Sequence, residues 1–206
     1  MDRIPFGVGE LDSVLGGGAP EGSVVLVAGE SGAGAREFAY TSTAMNALAR
    51  VDEETFDLYY GDVADSATVP PEVHYLSFTT DAGYIERELR YTMADEIVDA
   101  AVDGIEFVDL SPEYFQLSPI PREWYMGETS SIHDLGTTGN RDGVLSALGE
   151  YLSANAAGNL VVVDAVTDLV GASGGEVEWA DVAMLVRGLA KAVHSWGGLL
   201  LALVNT

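Results

Sequence analysis

No cysteine occurs in the 206 residues, which removes disulfides and thiolate chemistry from consideration. Basic residues are scarce too: there are nine, and Lys191 is the one lysine among them. A nucleic-acid binder needs a basic patch that releases counterions from phosphates, and no such patch is visible. No apolar run approaches the roughly 18–20 residues of a membrane span, so membrane insertion is not expected. The opening Met1-Asp-Arg-Ile-Pro5 lacks the basic and apolar regions of a signal peptide, and a cytoplasmic location is expected. His74, His133 and His194 are scattered without the spacing of a zinc site, so no metal is expected. Ser31 lacks a G-x-S-x-G frame, which gives no support to a hydrolase nucleophile.

Against the nine bases stand 33 acids, for a net charge of −24. Acidity combined with a near-lack of lysine fits the cytosol of an extreme halophile. At molar salt the Debye length falls to about 3 Å, so carboxylate repulsion is screened. An ordinary acidic protein or an acidic interaction face is the alternative.

What the sequence does contain is α/β patterning. Hydrophobic residues make up 48%, enough for one α/β domain over 1–206. A turn at Pro20–Gly22 leads into the apolar run Val24–Ala28, which reads as a buried strand. A glycine-rich loop with Gly29, Gly32 and Gly34 follows, and then a helix-forming run from Glu37 to Arg50. Strand, glycine loop and helix in that order form the context of a phosphate-binding P-loop. Glycines let backbone N–H groups converge on a phosphate, and the helix N-terminus adds its positive end. In the pattern G-x-x-x-x-G-K-[ST], Gly29 and Gly34 fix the register. Lysine and a hydroxyl should come next, but Ala35 and Arg36 stand there. The degenerate nucleotide loop is thus Gly29, Glu30, Ser31, Gly32, Ala33, Gly34, Ala35 and Arg36.

Further along, Val51–Glu72 holds seven acids and no base and ends in Pro70-Pro71. It reads as an acidic surface insertion, with a short ordered piece at Phe56–Tyr60, or as a partner-docking loop. Val73–Phe78 is a strand. A helix over Tyr84–Ala101 follows, with Ile85, Leu89, Met93, Ile97 and Ala101 at spacings of four. Ile105–Leu110 is the next strand. Ser111–Asp142 is a long loop rich in aromatics, which tuck over the core or form a protein-binding patch. Gly143–Ala156 is a helix, Leu160–Asp164 a strand, Gly171–Gly175 a flexible link, Trp179–Trp196 a helix and Leu199–Val204 a strand. The alternation implies a three-layer, mostly parallel sheet with helices on both faces. Val24–Ala28 is expected at its centre beside Leu160–Val163, with Leu199–Val204 on the other side of Val24–Ala28.

Gly7, Leu11, Asp12, Leu15, Gly16, Gly17, Gly18, Pro20 and Gly22 spell G-x-x-x-LD-x-x-L-GGG-x-P-x-G. With the strand and glycine loop that follow, this opening resembles the KaiC-like branch of the RecA P-loop ATPase superfamily, in a haloarchaeal-type form. The resemblance implies a RecA-like P-loop fold and identifies Asp164 with the Walker B carboxylate that orients hydrated Mg²⁺. Without it, Asp164 at a strand end reads as a helix N-cap. The resemblance also places a catalytic glutamate pair where Thr79 and Thr80 stand. Threonine cannot accept a proton near neutral pH, and a general base is worth roughly 10²–10⁴-fold in rate. Asp81 is a substitute only through a one-residue shift. The family continues past the last strand into a hairpin that supplies charged residues to a neighbour's site, whereas this sequence ends at Val204-Asn-Thr206. Arg36 either grips phosphate in the metal's stead or is a surface arginine paired with an acid.

Two readings result. One is a non-catalytic KaiC-like protein with a regulatory, signalling or scaffold role. It binds protein partners, including homo- or hetero-oligomers of KaiC-like subunits, and binds ATP or ADP weakly or not at all. The other is an ATPase or nucleotide switch with an atypical P-loop that uses Arg36 and Asp164. A DNA-binding role is disfavoured because Ala165–Glu178 carries acids and no base. The charge generates the first prediction: thermal midpoints should rise steeply between about 0.1 M and 2 M KCl. A flat or falling midpoint would remove the halophile reading.

Overall fold

The structure, a computed structural model, describes residues 2–30, 32–116, 118–125, 143–171 and 179–206. Five parallel strands form the central sheet: β3 (Ser23–Gly29), β4 (Val73–Ser77), β5 (Ile105–Asp109), β6 (Leu160–Asp164) and β7 (Leu199–Asn205). Their order is β3-β7-β6-β4-β5. A separate antiparallel pair, β1 (Arg3–Ile4) with β2 (Ala19–Pro20), precedes them.

The two-residue period of a strand sends alternate side chains to opposite faces, and both faces are covered here. Leu160 and Val162 with Leu199, Leu201 and Leu203 join one apolar cluster, on the side of helices α2 (Ala35–Val51), α4 (Ala82–Thr92) and α5 (Asp95–Ala101). Val161 and Val163 with Leu200 and Ala202 join the other, on the side of α7 (Gly143–Asn155) and α9 (Trp179–Trp196). The result is the expected three-layer α/β architecture.

The expected strand order needs correction. β7, not β3, lies beside β6, and β3 pairs only with β7 among the described residues. Both strands read as apolar runs, and a run alone does not rank them. Burial does: Leu199–Leu203 are all buried, whereas every described residue of β3 is at least partly exposed. The strand that leads into the glycine loop is therefore an edge strand.

Three other expectations change. The single helix over Tyr84–Ala101 is two, because Met93 and Ala94 adopt extended backbone between α4 and α5. Arg90 clamps the break, donating to Glu86 and to Asp99. The ordered piece expected at Phe56–Tyr60 in the 51–72 insertion is present and begins earlier. The insertion's first residue ends α2, and α3 (Glu53–Tyr59) follows, N-capped by Asp52 and inserting Phe56 into the core. Part of the long 111–142 connection is ordered as α6 (Ser111–Phe115) and a turn at Arg122–Trp124. Phe78, Tyr114, Phe115 and Tyr125 form a chain of ring contacts, so these aromatics tuck over the core while Trp124 stays exposed. Residues 126–142 and most of the 171–175 link lie outside the described residues.

The opening motif has a structural job. Asp12, on α1 (Gly9–Val14), is buried and accepts hydrogen bonds from the N–H groups of Phe6 and Gly7 and from the Tyr60 hydroxyl. Burial pushes its carboxyl pKa above the ordinary value, partly opposed by those hydrogen bonds. Gly18 has φ +110, and a Cβ there would collide with the Ile4 carbonyl. Replacing Asp12 with Ala strands two backbone donors, which should cost about 2–4 kcal/mol by chemical denaturation in concentrated KCl. A change under about 0.5 kcal/mol would show that the tie contributes nothing.

Candidate functional site

In a parallel α/β sheet, ligands are bound beyond the C-terminal ends of the strands. The ends of β3, β4, β6 and β7 meet there. Thr206 N–H donates to the Gly29 carbonyl at 3.2 Å, and Phe78 N–H to the Asp164 carbonyl at 3.3 Å. Asn205 N–H reaches the Thr167 hydroxyl at 3.1 Å. These contacts bring the end of β4, Asp164, the end of β7 and the start of the glycine loop to the same end of the sheet.

The loop leaves β3 at Gly29 and turns at Glu30–Ala33, where Ala33 N–H donates to the Glu30 carbonyl at 2.9 Å. Ser31 lies outside the described residues. Gly34 then caps α2 in the left-handed region, with φ +91, a conformation that favours glycine. Its side-chain-free cap leaves the helix's first N–H groups without a side-chain partner. A Cβ at Gly32 or Gly34 would meet nothing within 4 Å, so these glycines face open space. Glu30 and Glu37 bracket the loop with negative charge, both exposed.

Arg36 carries the decisive geometry. One guanidinium nitrogen donates to Asp164 Oδ1 at 2.8 Å, while the Tyr75 hydroxyl donates to Asp164 Oδ2 at 2.7 Å. Asp164 is 4% exposed, and Arg36's side chain is 46% exposed. Burial opposes the guanidinium's charge, but the hydrogen bond and attraction from Asp164 outweigh it and hold the Arg36 pKa above its ordinary value. Tyr75 lies fully inside, and its hydroxyl pKa is driven up, first by burial and then by the neighbouring Asp164 charge. Tyr40, whose ring is 5.7 Å from Tyr75, shifts the same way for the same two reasons. Asp168 is also raised, chiefly by burial. Asp164 is thus neither an N-cap nor a free carboxylate, because each oxygen already accepts a hydrogen bond from a side chain.

Hydrated Mg²⁺ does not fit this donor set. A cation, the Arg36 guanidinium, already sits on the carboxylate that would order its water shell, position 36 offers no hydroxyl, and Ala35 offers only a methyl. The backbone N–H groups at the start of α2 retain the form of an anion cradle. Thr79 and Thr80 form the turn after β4: both N–H groups point at Ser77 Oγ, at 3.3 and 3.1 Å, and Thr80 Oγ1 lies 2.7 Å from it. Asp81 is committed as the N-cap of α4, accepting from Tyr84 N–H at 2.8 Å. It is not aimed at the loop as a base.

Sequence reasoning missed Tyr75 because a tyrosine inside an apolar strand reads as core. The only available signal was its register, two residues before Ser77, which pairs with Asp164. It also missed a polar cluster at the opposite end of the sheet. His74 Nδ1 lies 2.9 Å from the Tyr151 hydroxyl, and its Nε2 lies 3.2 Å from Asn159 and 3.3 Å from Glu72. Every ring nitrogen there has a partner, and no group of three or more potential metal ligands occurs among the described residues. No helix among the described residues is long and apolar enough to cross a membrane.

The sequence matches no family model, and no curated protein matches it either. Among solved structures, it is similar to a KaiC-like protein from the hyperthermophilic archaeon Pyrococcus horikoshii OT3. The TM-score is 0.54 at 16% identity, over 99% of this chain and 70% of that one. The chain has the KaiC-like, RecA-type fold.

Tyr75 generates a pH prediction. A raised folded-state pKa means stability is fully present below the ordinary tyrosine value near 10 and lost as pH rises above it. The unfolded chain then releases a proton that folded Tyr75 keeps. Tyr75→Phe should therefore flatten the stability loss between about pH 10 and 11, while costing about 1–3 kcal/mol at pH 8 through the lost bond to Asp164. An unchanged alkaline slope would mean that Tyr75 ionises freely in the folded protein.

Proposed function

We propose that this chain is a KaiC-like protein that does not hydrolyse ATP and works by binding other proteins, in a regulatory, signalling or scaffold role. One observation carries the reading: Arg36 and Tyr75 occupy both oxygens of Asp164. A guanidinium stands where the metal's charge would be needed, so a Mg²⁺–nucleotide has no place to bind productively. The missing lysine at position 35 and the threonines at 79 and 80 support the same reading. A general base, worth roughly 10²–10⁴-fold in rate, has no carboxylate at positions 79 and 80 to supply it. Protein partners, among them KaiC-like subunits of the same or another kind, are what remains for the fold to engage.

A second reading rests on Arg36 being half-exposed. Its remaining N–H groups and the start of α2 could hold a phosphate without metal, giving a weak ATP or ADP switch. Turnover assays in about 2 M KCl, with and without Mg²⁺, separate the two from an active ATPase. The unmutated protein should show no Mg²⁺-dependent turnover. Ala35→Lys with Arg36→Thr should free Asp164 and raise Mg²⁺–ATP affinity about ten- to a hundredfold, with turnover still poor. Adding Thr79→Glu and Thr80→Glu should bring slow hydrolysis. Robust activity in the unmutated protein, lost in Asp164→Ala, would overturn the non-catalytic reading.

A further inference from the structure

The first residues of β4 and β5, at the end of the sheet opposite the Arg36–Asp164 pair, border a cavity of about 360 Å³. That volume suits a small molecule. Three of the ten residues lining it are acids, Glu72, Asp103 and Glu106, and one, Arg50, is a base. The walls come from both sides of the sheet. Tyr151 and Asn155 stand one turn apart on α7, while Arg50 arrives from the end of α2. His74 and Glu106 are paired residues of β4 and β5, so their side chains share the face that α7 covers.

A chain of hydrogen bonds fixes what these groups offer. Asn159 is oriented by the Glu72 N–H, which donates to its Oδ1 at 3.1 Å. Both hydrogens of its Nδ2 are then spent, on the Asn155 carbonyl at 2.7 Å and on Glu72 Oε2 at 3.1 Å. His74 is 4% exposed, and its Nε2, 3.3 Å from the same Glu72 oxygen, is therefore the ring's donor. In the neutral ring Nδ1 is the acceptor, and the Tyr151 hydroxyl, 2.9 Å away, donates to it. Tyr151 keeps its proton: burial, and then the nearby Glu106 and Glu72 charges, push its pKa up to about 12.

What these walls offer the cavity is acceptance. With its hydrogen committed to His74, the Tyr151 oxygen has only lone pairs left. Asn155 anchors its Nδ2 on the Tyr151 carbonyl at 2.9 Å, which leaves Oδ1 as an unused acceptor. Among the described residues, no group donates to that Oδ1, to Glu72 Oε1 or to Glu106. A solvated carboxylate alone selects nothing, and this chain of net charge −24 has many. Here two carboxylates share one concave wall with the neutral oxygens of Tyr151 and Asn155, and a buried imidazole sets the direction of the Tyr151 hydroxyl.

We propose that this cavity binds a small organic cation, a primary amine or a guanidine, whose N–H groups donate to the Tyr151 oxygen, Asn155 Oδ1 and the Glu72 and Glu106 carboxylates. An ammonium carries three donors and a guanidinium five, and neither has an acceptor, so either matches such a wall. A potassium ion carries the charge without the donors. His74 is a positioning residue, since it holds the Tyr151 hydrogen away from the ligand. Arg50 separates two sources of this chemistry. It repels a simple diamine, and it attracts the carboxylate of a basic amino acid. The site shares no residue with the Arg36–Asp164 pair, so its failure leaves the ATPase result standing.

The test uses the full chain in about 2 M KCl, where screening leaves hydrogen bonding to discriminate. Putrescine and L-arginine are titrated by calorimetry beside two controls. Butane-1,4-diol is the neutral counterpart of putrescine, and tetramethylammonium has the charge without any N–H. Putrescine or arginine should saturate one site at least about tenfold more tightly than either control. The tighter of the two identifies the source, and Arg50→Ala should strengthen putrescine binding and weaken that of arginine. Glu106→Gln, at an exposed position, should weaken binding about tenfold, and Tyr151→Phe about three- to tenfold. Circular dichroism checks that each variant is folded. Nitrogen NMR locates the site: His74 should show an unprotonated Nδ1 and shift on titration while His194 stays still. No saturable binding, controls as tight as the amines, Glu106→Gln without effect, or a shift at His194 alone overturns the proposal.

Discussion

A guanidinium held 2.8 Å from a buried carboxylate is the contact on which the top of this sheet depends. Asp164 sits at the end of β6, inside the protein, where an unpaired charge is costly. Arg36 supplies the opposite charge and Tyr75 a second donor, so the carboxylate is compensated within the chain. The pair also ties the first turn of α2 to the middle of the sheet across 128 positions of sequence.

That tie acts through a helix already packed for close approach. Ala39, Ala44, Ala47 and Leu48 of α2 are essentially fully buried, and small side chains let the helix lie low over the strands. Gly34 starts it from a left-handed cap, and two residues on Arg36 reaches Asp164 at the end of β6 with part of its side chain still in solvent. Asp12 then fixes the chain that leads into the sheet, taking N–H groups from Phe6 and Gly7. Phe6 in turn packs against Phe38 on α2, their rings 5.7 Å apart. The opening motif and the glycine loop are therefore one mechanical unit, joined through the helix between them.

The fold class was readable because its signals are local. Apolar runs, the glycine loop and the Trp179–Trp196 helix follow from propensity and period, and the structure repeats them nearly residue for residue. The strand order was not readable, since Val24–Ala28 and Leu199–Val204 look alike until burial on two faces is known. The break at Met93–Ala94 was hidden by apolar spacings of four that fit one long helix as well as two short ones. At the site, the loop and Asp164 were legible as a motif. The partnership of Arg36 with Asp164 and Tyr75 was not, because nothing in one dimension specifies which of many acids an arginine meets.

The nature of position 36 decides how the buried Asp164 carboxylate is compensated. Loss of the lysine and hydroxyl alone would leave Asp164 buried beside a tyrosine, with no cation to balance it. A neutral side chain at position 36 could donate hydrogen bonds to that carboxylate but would bring no opposite charge. Arginine is always charged and reaches far enough to keep part of its head in water while pairing below. With Arg36 half-exposed, solvent screening brings the cost of removing it to about 1–3 kcal/mol, below the roughly 3–5 of breaking a fully buried pair. The same contact that relieves Asp164 occupies the oxygen a hydrated metal would use. On the proposed reading, the contact that holds the sheet top together is the one Mg²⁺ would have to displace.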